Sequence, residues 1–225
     1  MQKSKFKYMI FKILALVSIL RNIRRIHRSR NSVLENSMLL IAHPDDESMF
    51  FSPFLFYNTP NIILCLSNGD FNLQGGKREE EMQRLCKQRG WSLKILGYRD
   101  GNEWNVDRII VDMLDTCIKY NIRNVITFDQ NGVSGHKNHI SCYKAAKKLN
   151  RLLRNQHLKF YCLKSVSAFE KYIYSFGKST HEIPIYSWFG MQNMLFHNSQ
   201  LAWFRYLYIF FSNYMYFNEI HEIPE

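Results

Sequence analysis

Hydrophobic residues in this chain fall into two patterns: short unbroken runs, and longer stretches in which they recur every three or four positions. A short apolar run bounded by breakers reads as a strand covered on both faces, and the longer period reads as an amphipathic helix. On that basis residues 38–42 (MLLIA), 61–67 (NIILCLS), 92–96 (SLKIL) and 124–128 (NVITF) are strands. A helix opens near Glu47 and runs through 50–56, and a charged helix over 77–90 stops at Gly90. Val106, Ile109, Ile110, Met113, Leu114 and Cys117 mark a third helix over 106–120, and a fourth covers 140–154. Further strands are expected within 161–174. Asn68-Gly69-Asp70 forms a turn, Gly75-Gly76 a flexible loop, and 97–101 and 177–184 are also loops. Alternation of strands and helices at this spacing predicts an α/β fold. It is a Rossmann-like, mostly parallel sheet with right-handed crossovers and helices on both faces. The first strand is not followed by GxGxxG, so dinucleotide binding has no support.

Polarity inverts where the first strand ends. His43, Asp45, Asp46 and Glu47 set one imidazole and three carboxylates around Pro44. The carboxyl edge of a parallel sheet is where such folds bind ligands, and the positive end of the next helix lies beside these groups. Crowding ionisable groups at one strand end is unfavourable without compensation, which a divalent cation supplies. A single helix cap explains one acid, not a histidine with two adjacent acids. The missing distant ligand lies after the fourth strand, in DQNGVSGHKNH. There His136 and His139 stand three residues apart where a Gly-rich loop enters a helix. The topology brings them to the same sheet edge as His43. His27, His157, His181, His197 and His221 have no comparable context and read as surface or core histidines.

The net charge of +11 suggests a nucleic-acid partner until it is located. Residues 1–34 hold nine lysines and arginines and no acid, so the body from Glu35 onward is nearly neutral. A nucleic-acid enzyme spreads positive charge over its working face, so that class is set aside. The chain divides into a basic, hydrophobic arm at 1–34 and one domain at 35–225. Within the arm, residues 8–20 are apolar apart from Lys12 and Ser18. That run is short of the roughly 20 residues needed to span a bilayer. A single-pass anchor, an interfacial basic helix and a targeting peptide all remain open, although no small-residue cleavage site follows the run. The arginines behind the run place the body in the cytosol if it spans. Five cysteines, an odd number without a CxxC, agree with a reducing compartment. Residues 201–217 carry nine aromatic side chains. They suit either a lipid-facing helix beside the site or a helix packed on the sheet.

These motifs resemble the PIG-L (LmbE-like) family of zinc-dependent N-deacetylases. The resemblance rests on IAHPDDESMFF (41–51), the SNGD turn with Arg78 and Glu79 to Glu81, FDQNGVSGHKNH (128–139), and HNSQLAWFRYLYIFFSNYM (197–215). The last stretch is similar to the eukaryotic branch, which acts on N-acetylglucosaminyl-phosphatidylinositol in GPI-anchor synthesis. The resemblance implies His43, Asp46 and His139 as ligands of zinc or another divalent metal. It implies Asp45 as general base, and His136 as the group that stabilises the tetrahedral intermediate or protonates the amine. It also implies Arg78 as a substrate-binding residue. The expected activity is hydrolysis of the N-acetyl group at the endoplasmic reticulum membrane, with the catalytic domain facing the cytosol and an N-terminal membrane-associated helix. Deacetylation of a soluble GlcNAc conjugate, and a non-catalytic membrane-tethered role, are the alternatives.

Overall fold

The computed structural model describes residues 33–153, 157–172, 180–182 and 188–224. Apart from its last residues the N-terminal arm lies outside them, and with it the membrane-helix reading. No helix among the described residues is long and apolar enough to cross a membrane.

Six strands form the main sheet: β1 (Ser37–Ile41), β2 (Ile62–Cys65), β3 (Leu93–Ile95), β4 (Asn124–Phe128), β5 (Lys159–Leu163) and β8 (Ile220–Glu222), in the order β3-β2-β1-β4-β5-β8. The first five run parallel, and β8 closes the far edge antiparallel to β5. Two short strands, β6 (His181–Glu182) and β7 (Phe217–Asn218), pair separately. The order turns on β1, which pairs with β2 on one side and β4 on the other. Chain from both neighbours therefore leaves the sheet at one crevice, the switch point where ligands bind in such folds. Every residue of β1 is fully buried, as its unbroken apolar run requires.

The helices show where local chemistry overrides periodicity. The helix expected from Glu47 to residue 56 is two: α1 (Asp46–Phe50) and α2 (Ser52–Tyr57), separated by Phe51 at φ −113°. Pro53 explains the break, because it has no N–H to donate to the Met49 carbonyl one turn back. The Tyr208 hydroxyl donates to that carbonyl instead, at 3.0 Å. Gly75 and Gly76 are the first turn of α3 (Gly75–Arg89) and not a loop. A Cβ on Gly75 would lie 2.7 Å from the Asn68 amide, so glycine lets the helix start against the SNGD turn. After α4 (Val106–Lys119), α5 runs Lys137–Leu152, so His139 stands inside its first turn rather than before it.

Among the described residues of 161–174 only β5 is a strand, and the chain then forms α6 (Ala168–Tyr172). Ser167 and Glu170 make a reciprocal cap, each side chain accepting from the other's backbone N–H at 3.2 and 3.0 Å, which starts that helix. Beyond α7 (Phe189–Met194), the aromatic segment is a helix only over α8 (Trp203–Phe211), nine residues long. One face of α8 buries Tyr208 and Ile209, and the other exposes Trp203, Phe204, Tyr206 and Leu207. The helix thus has one face packed in the protein, against α7 and residues 213–215, and one face exposed. All five cysteines are free, and Cys65, Cys86, Cys117 and Cys142 are buried.

Candidate metal centre and active site

The carboxyl end of β1 delivers His43, Asp45 and Asp46 together through a strained turn. Asp45 has φ 117°, a conformation unusual for a residue with a side chain and of order 1–3 kcal/mol unfavourable. The turn holds because the Asp46 carboxylate accepts from the backbone N–H groups of Ala42 (3.1 Å) and His43 (2.8 Å). The same carboxylate is 3.2 Å from His139 Nε2 and 3.8 Å from His43 Nδ1, so it sits between the two rings. Burial alone would raise its pKa, but the two histidines and the His43 N–H hold it well below the usual carboxylate range.

The end of β4 delivers the other two histidines. Gly132 through Gly135 form a tight turn in which Val133, a β-branched residue, adopts φ 66°. Ser165 pins the turn, accepting from the Val133 N–H at 2.8 Å while its own N–H donates to Asp129 at 2.7 Å. His139 stacks flat on Phe128, with ring centroids 3.9 Å apart, and its Nδ1 lies 3.1 Å from the Gly132 carbonyl. That carbonyl fixes the proton on Nδ1 and leaves Nε2 free to ligate.

The ligand atoms of His43, His136 and His139 all lie within 4.8 Å of one another, and Asp46 joins His43 to His139. The set is nitrogen-rich with one carboxylate, which suits zinc and other first-row divalent ions. His136 turns one side of its ring to the cavity. Desolvation of its inner side, with the neighbouring His139 and His43 rings, lowers its pKa to about 4. It is neutral at pH 7.

The remaining expected residue, Arg78, points inward. Its guanidinium donates to the Pro44 carbonyl at 2.7 Å and the Gly69 carbonyl at 3.1 Å, and lies 3.3 Å from Asp45 Oδ1. A Cβ on Gly69 would fall 2.4 Å from that guanidinium, so the glycine of SNGD makes room for it. A second guanidinium, from Arg205 of α8, reaches the other Asp45 oxygen at 3.4 Å. Burial raises the Asp45 pKa more than the two arginines lower it.

Three residues at the site were not anticipated. Asp100, in the loop after β3, binds His43 Nε2 at 3.0 Å and orients that ring so that Nδ1 faces Asp46. Asp100→Asn is expected to weaken metal binding about 10–100-fold, the usual cost of losing such an outer partner, read by competition with a chromogenic chelator. An unchanged affinity would remove Asp100 from the site.

Arg205 is the second residue. The third is His197, which lies fully buried beneath the turn, 2.7 Å from Glu47 Oε1. Burial lowers the His197 pKa, but Glu47 more than restores it, leaving it raised above 6.5. The partner Glu47, also opposed by burial, is lowered below 4.5. Stability from a raised histidine is complete below 6.5 and fades as pH rises through its folded value. Stability from a lowered glutamate is complete above 4.5 and fades as pH falls through its folded value. The melting-temperature gap between wild type and His197→Gln should therefore be widest between pH 4.5 and 6.5 and narrow at higher pH. A gap independent of pH would show that the pair is not ionised.

A cavity of about 770 Å³ opens over these groups. His43, Asp45, Asp46, Arg78, Asp100 and the His136–His139 pair line its floor, and α6 and α8 form its wall. Its volume falls in the usual range of roughly 300–1,000 Å³ for small-molecule sites. Fold and site together define an α/β protein with a histidine–carboxylate centre at the switch point of a parallel sheet.

The family model described as GlcNAc-PI de-N-acetylase, PIG-L, matches residues 38–150. A protein of Schizosaccharomyces pombe named probable N-acetylglucosaminyl-phosphatidylinositol de-N-acetylase is 32% identical over 81% of this chain and 84% of its own length. The chain belongs to the PIG-L family. Among solved structures, an N,N'-diacetylchitobiose deacetylase from Pyrococcus horikoshii aligns with TM-score 0.63 at 14% identity over 84% of each chain. The fold also matches that of a 4-carboxy-2-hydroxymuconate hydratase from Pseudomonas putida, with TM-score 0.59 at 11% identity over 84% of this chain and 96% of that one. The fold by itself therefore does not decide the chemistry, and the site must.

Proposed function

We propose that this chain hydrolyses the N-acetyl group of N-acetylglucosaminyl-phosphatidylinositol, giving the free amine and acetate, at the cytosolic face of the endoplasmic reticulum membrane. The observation that carries the reading is that His43, Asp46 and His139 converge beside an Asp45 held by Arg78 and Arg205 at the floor of one cavity, in a member of the PIG-L family.

In this reading His43, Asp46 and His139 hold a divalent ion, with zinc favoured by the donor set. The ion, when bound, polarises the amide carbonyl and acidifies a water. Asp45 faces the same cavity but points its carboxylate at Arg78 and Arg205, so it is left to take a proton from the attacking water. Its raised pKa makes it a better base than an ordinary aspartate. Neutral His136 donates a hydrogen bond to the carbonyl oxygen as negative charge develops there. The proton taken by Asp45 passes to the departing nitrogen, so that C–N cleavage leaves acetic acid and the amine, and the acid's remaining proton goes to the amine or to solvent. Arg78, tied to two carbonyls and Asp45, acts chiefly by fixing Asp45. This departs from the direct substrate contact that the resemblance implies.

Residues 1–34 attach the domain at 35–225 to the membrane in this reading, and the exposed aromatic face of α8 lies against the lipid surface. Trp and Tyr favour that interface. A soluble GlcNAc conjugate is the second reading, because the cavity floor would take the acetamide of either substrate. Acetate release from N-acetylglucosaminyl-phosphatidylinositol in mixed micelles, compared with N,N'-diacetylchitobiose, separates the two. The proposal expects at least a tenfold higher kcat/KM for the glycolipid. Equal values, or the reverse order, would favour the soluble substrate.

A further inference from the structure

We infer that Lys171 of α6 and Arg205 of α8 form an anion subsite on the cavity wall, one that holds the phosphodiester between the inositol ring and the lipid of the substrate. The inference rests on the reading of the substrate just given and adds the residues that would distinguish a phosphoinositol glycolipid from a neutral sugar.

Asp45, Asp46, Arg78 and Asp100 line the cavity with the histidines, and Lys171 and Arg205 line it from α6 and α8, with Tyr172, Phe204, Leu207 and Phe211. Among the described residues Arg205 has one carboxylate partner, Asp45, which it shares with Arg78, so two guanidinium groups face a single carboxylate. Lys171 is half-buried, and none of the described residues gives it a carboxylate partner. Its ammonium lies 4.9 Å from the Tyr208 ring centre and 5.7 Å from that of Tyr172, which hold the cation in place without neutralising it. Tyr208 lies three residues along α8 from Arg205, so the ammonium over its ring and the Arg205 guanidinium line the same cavity. Two like charges on one wall favour an anion between them.

The substrate's chemistry supplies that anion at a matching place. The amide to be cleaved belongs to the sugar, and the inositol ring separates it from the phosphodiester. A substrate with its acetamide over the histidine–carboxylate floor therefore carries its negative charge up toward the wall. Beyond the phosphate come the acyl chains, and beyond Lys171 and Arg205 come the exposed rings of Trp203, Phe204 and Tyr206. An Arg fork and a Lys point charge are both common partners of phosphate.

Lys171 is the cleaner residue to change, because it touches neither Asp45 nor a histidine of the floor. In the full-length protein, kcat/KM for N-acetylglucosaminyl-phosphatidylinositol is compared with that for N-acetylglucosaminyl-inositol, which lacks the phosphate. Lys171→Gln is expected to lower the ratio of the two about tenfold, through the KM of the phosphate-bearing substrate, and Lys171→Arg to restore most of it. An unchanged ratio in Lys171→Gln would overturn the subsite. A second arm needs no turnover: glycerophosphoinositol is titrated into wild type and Lys171→Gln by calorimetry. Binding about tenfold tighter to wild type, weakening with salt, supports the subsite; equal binding, or none to either, overturns it. If wild type releases acetate from neither substrate, the proposed function fails while the titration still decides the subsite.

Discussion

Asp45→Asn is expected to lower kcat by about 10²–10⁴-fold, the range a general base supplies, while leaving the metal bound. The substitution keeps the size and shape of the side chain. Asparagine tolerates positive φ about as well as aspartate does, so the turn at φ 117° survives. Arg78 retains its bonds to the Pro44 and Gly69 carbonyls, which hold it without help from Asp45. What is lost is one basic oxygen and one buried negative charge. Steady-state acetate release with metal content measured on the same sample checks the result. Turnover near wild type would remove Asp45 as the base, and loss of metal would make it a ligand.

His139→Ala has the second large effect, and it falls on metal before chemistry. The imidazole is buried, 3.2 Å from Asp46, with its far nitrogen on the Gly132 carbonyl and its ring flat on Phe128. Alanine removes a proposed ligand, leaves Asp46 with one neighbouring histidine and opens a gap against Phe128. Metal affinity should fall by more than the roughly 10–100-fold expected for outer partners, so that dialysed protein retains little metal and turnover disappears. Plasma emission analysis of the dialysed variant reads this directly. Metal content equal to wild type would defeat the ligand assignment, with His136 then the histidine to test, since its ring is within reach of the same point.

What could be read from the sequence was whatever local chemistry dictates. The run 38–42 had to be a buried strand, so the HPDD that follows it had to lie at the carboxyl edge. A second strand ending in a Gly-rich loop with His136 and His139 had to reach the same edge in a parallel sheet. The misread boundaries have mixed causes, most of them local and one completed by a partner far away in the chain. Pro53 breaks the first helix at a point where Tyr208, 159 residues from Met49, can satisfy the freed carbonyl. Gly75 belongs to a helix because Asn68 crowds its α-carbon. Ser167 with Glu170 was a readable cap that periodicity alone passed over.

The same holds in the site. Asp100 was one acid in a polar loop, and only the pairing of β3 with β2 brings it under His43. Its position just past the carboxyl end of a strand was the available signal. His197 and Arg205 gave less warning, because they meet the HPDDE turn from 150 and 160 residues away. Aromatic neighbours made Arg205 look like part of a surface helix, when that helix has one face on the cavity and the other outward.

The most direct test of the account measures bound metal and released acetate together. Purified full-length protein is given N-acetylglucosaminyl-phosphatidylinositol, beside His43→Ala handled identically. The account predicts about one divalent ion per chain and acetate release in wild type, with both lost in the variant. Acetate release that survives in metal-free His43→Ala would contradict it.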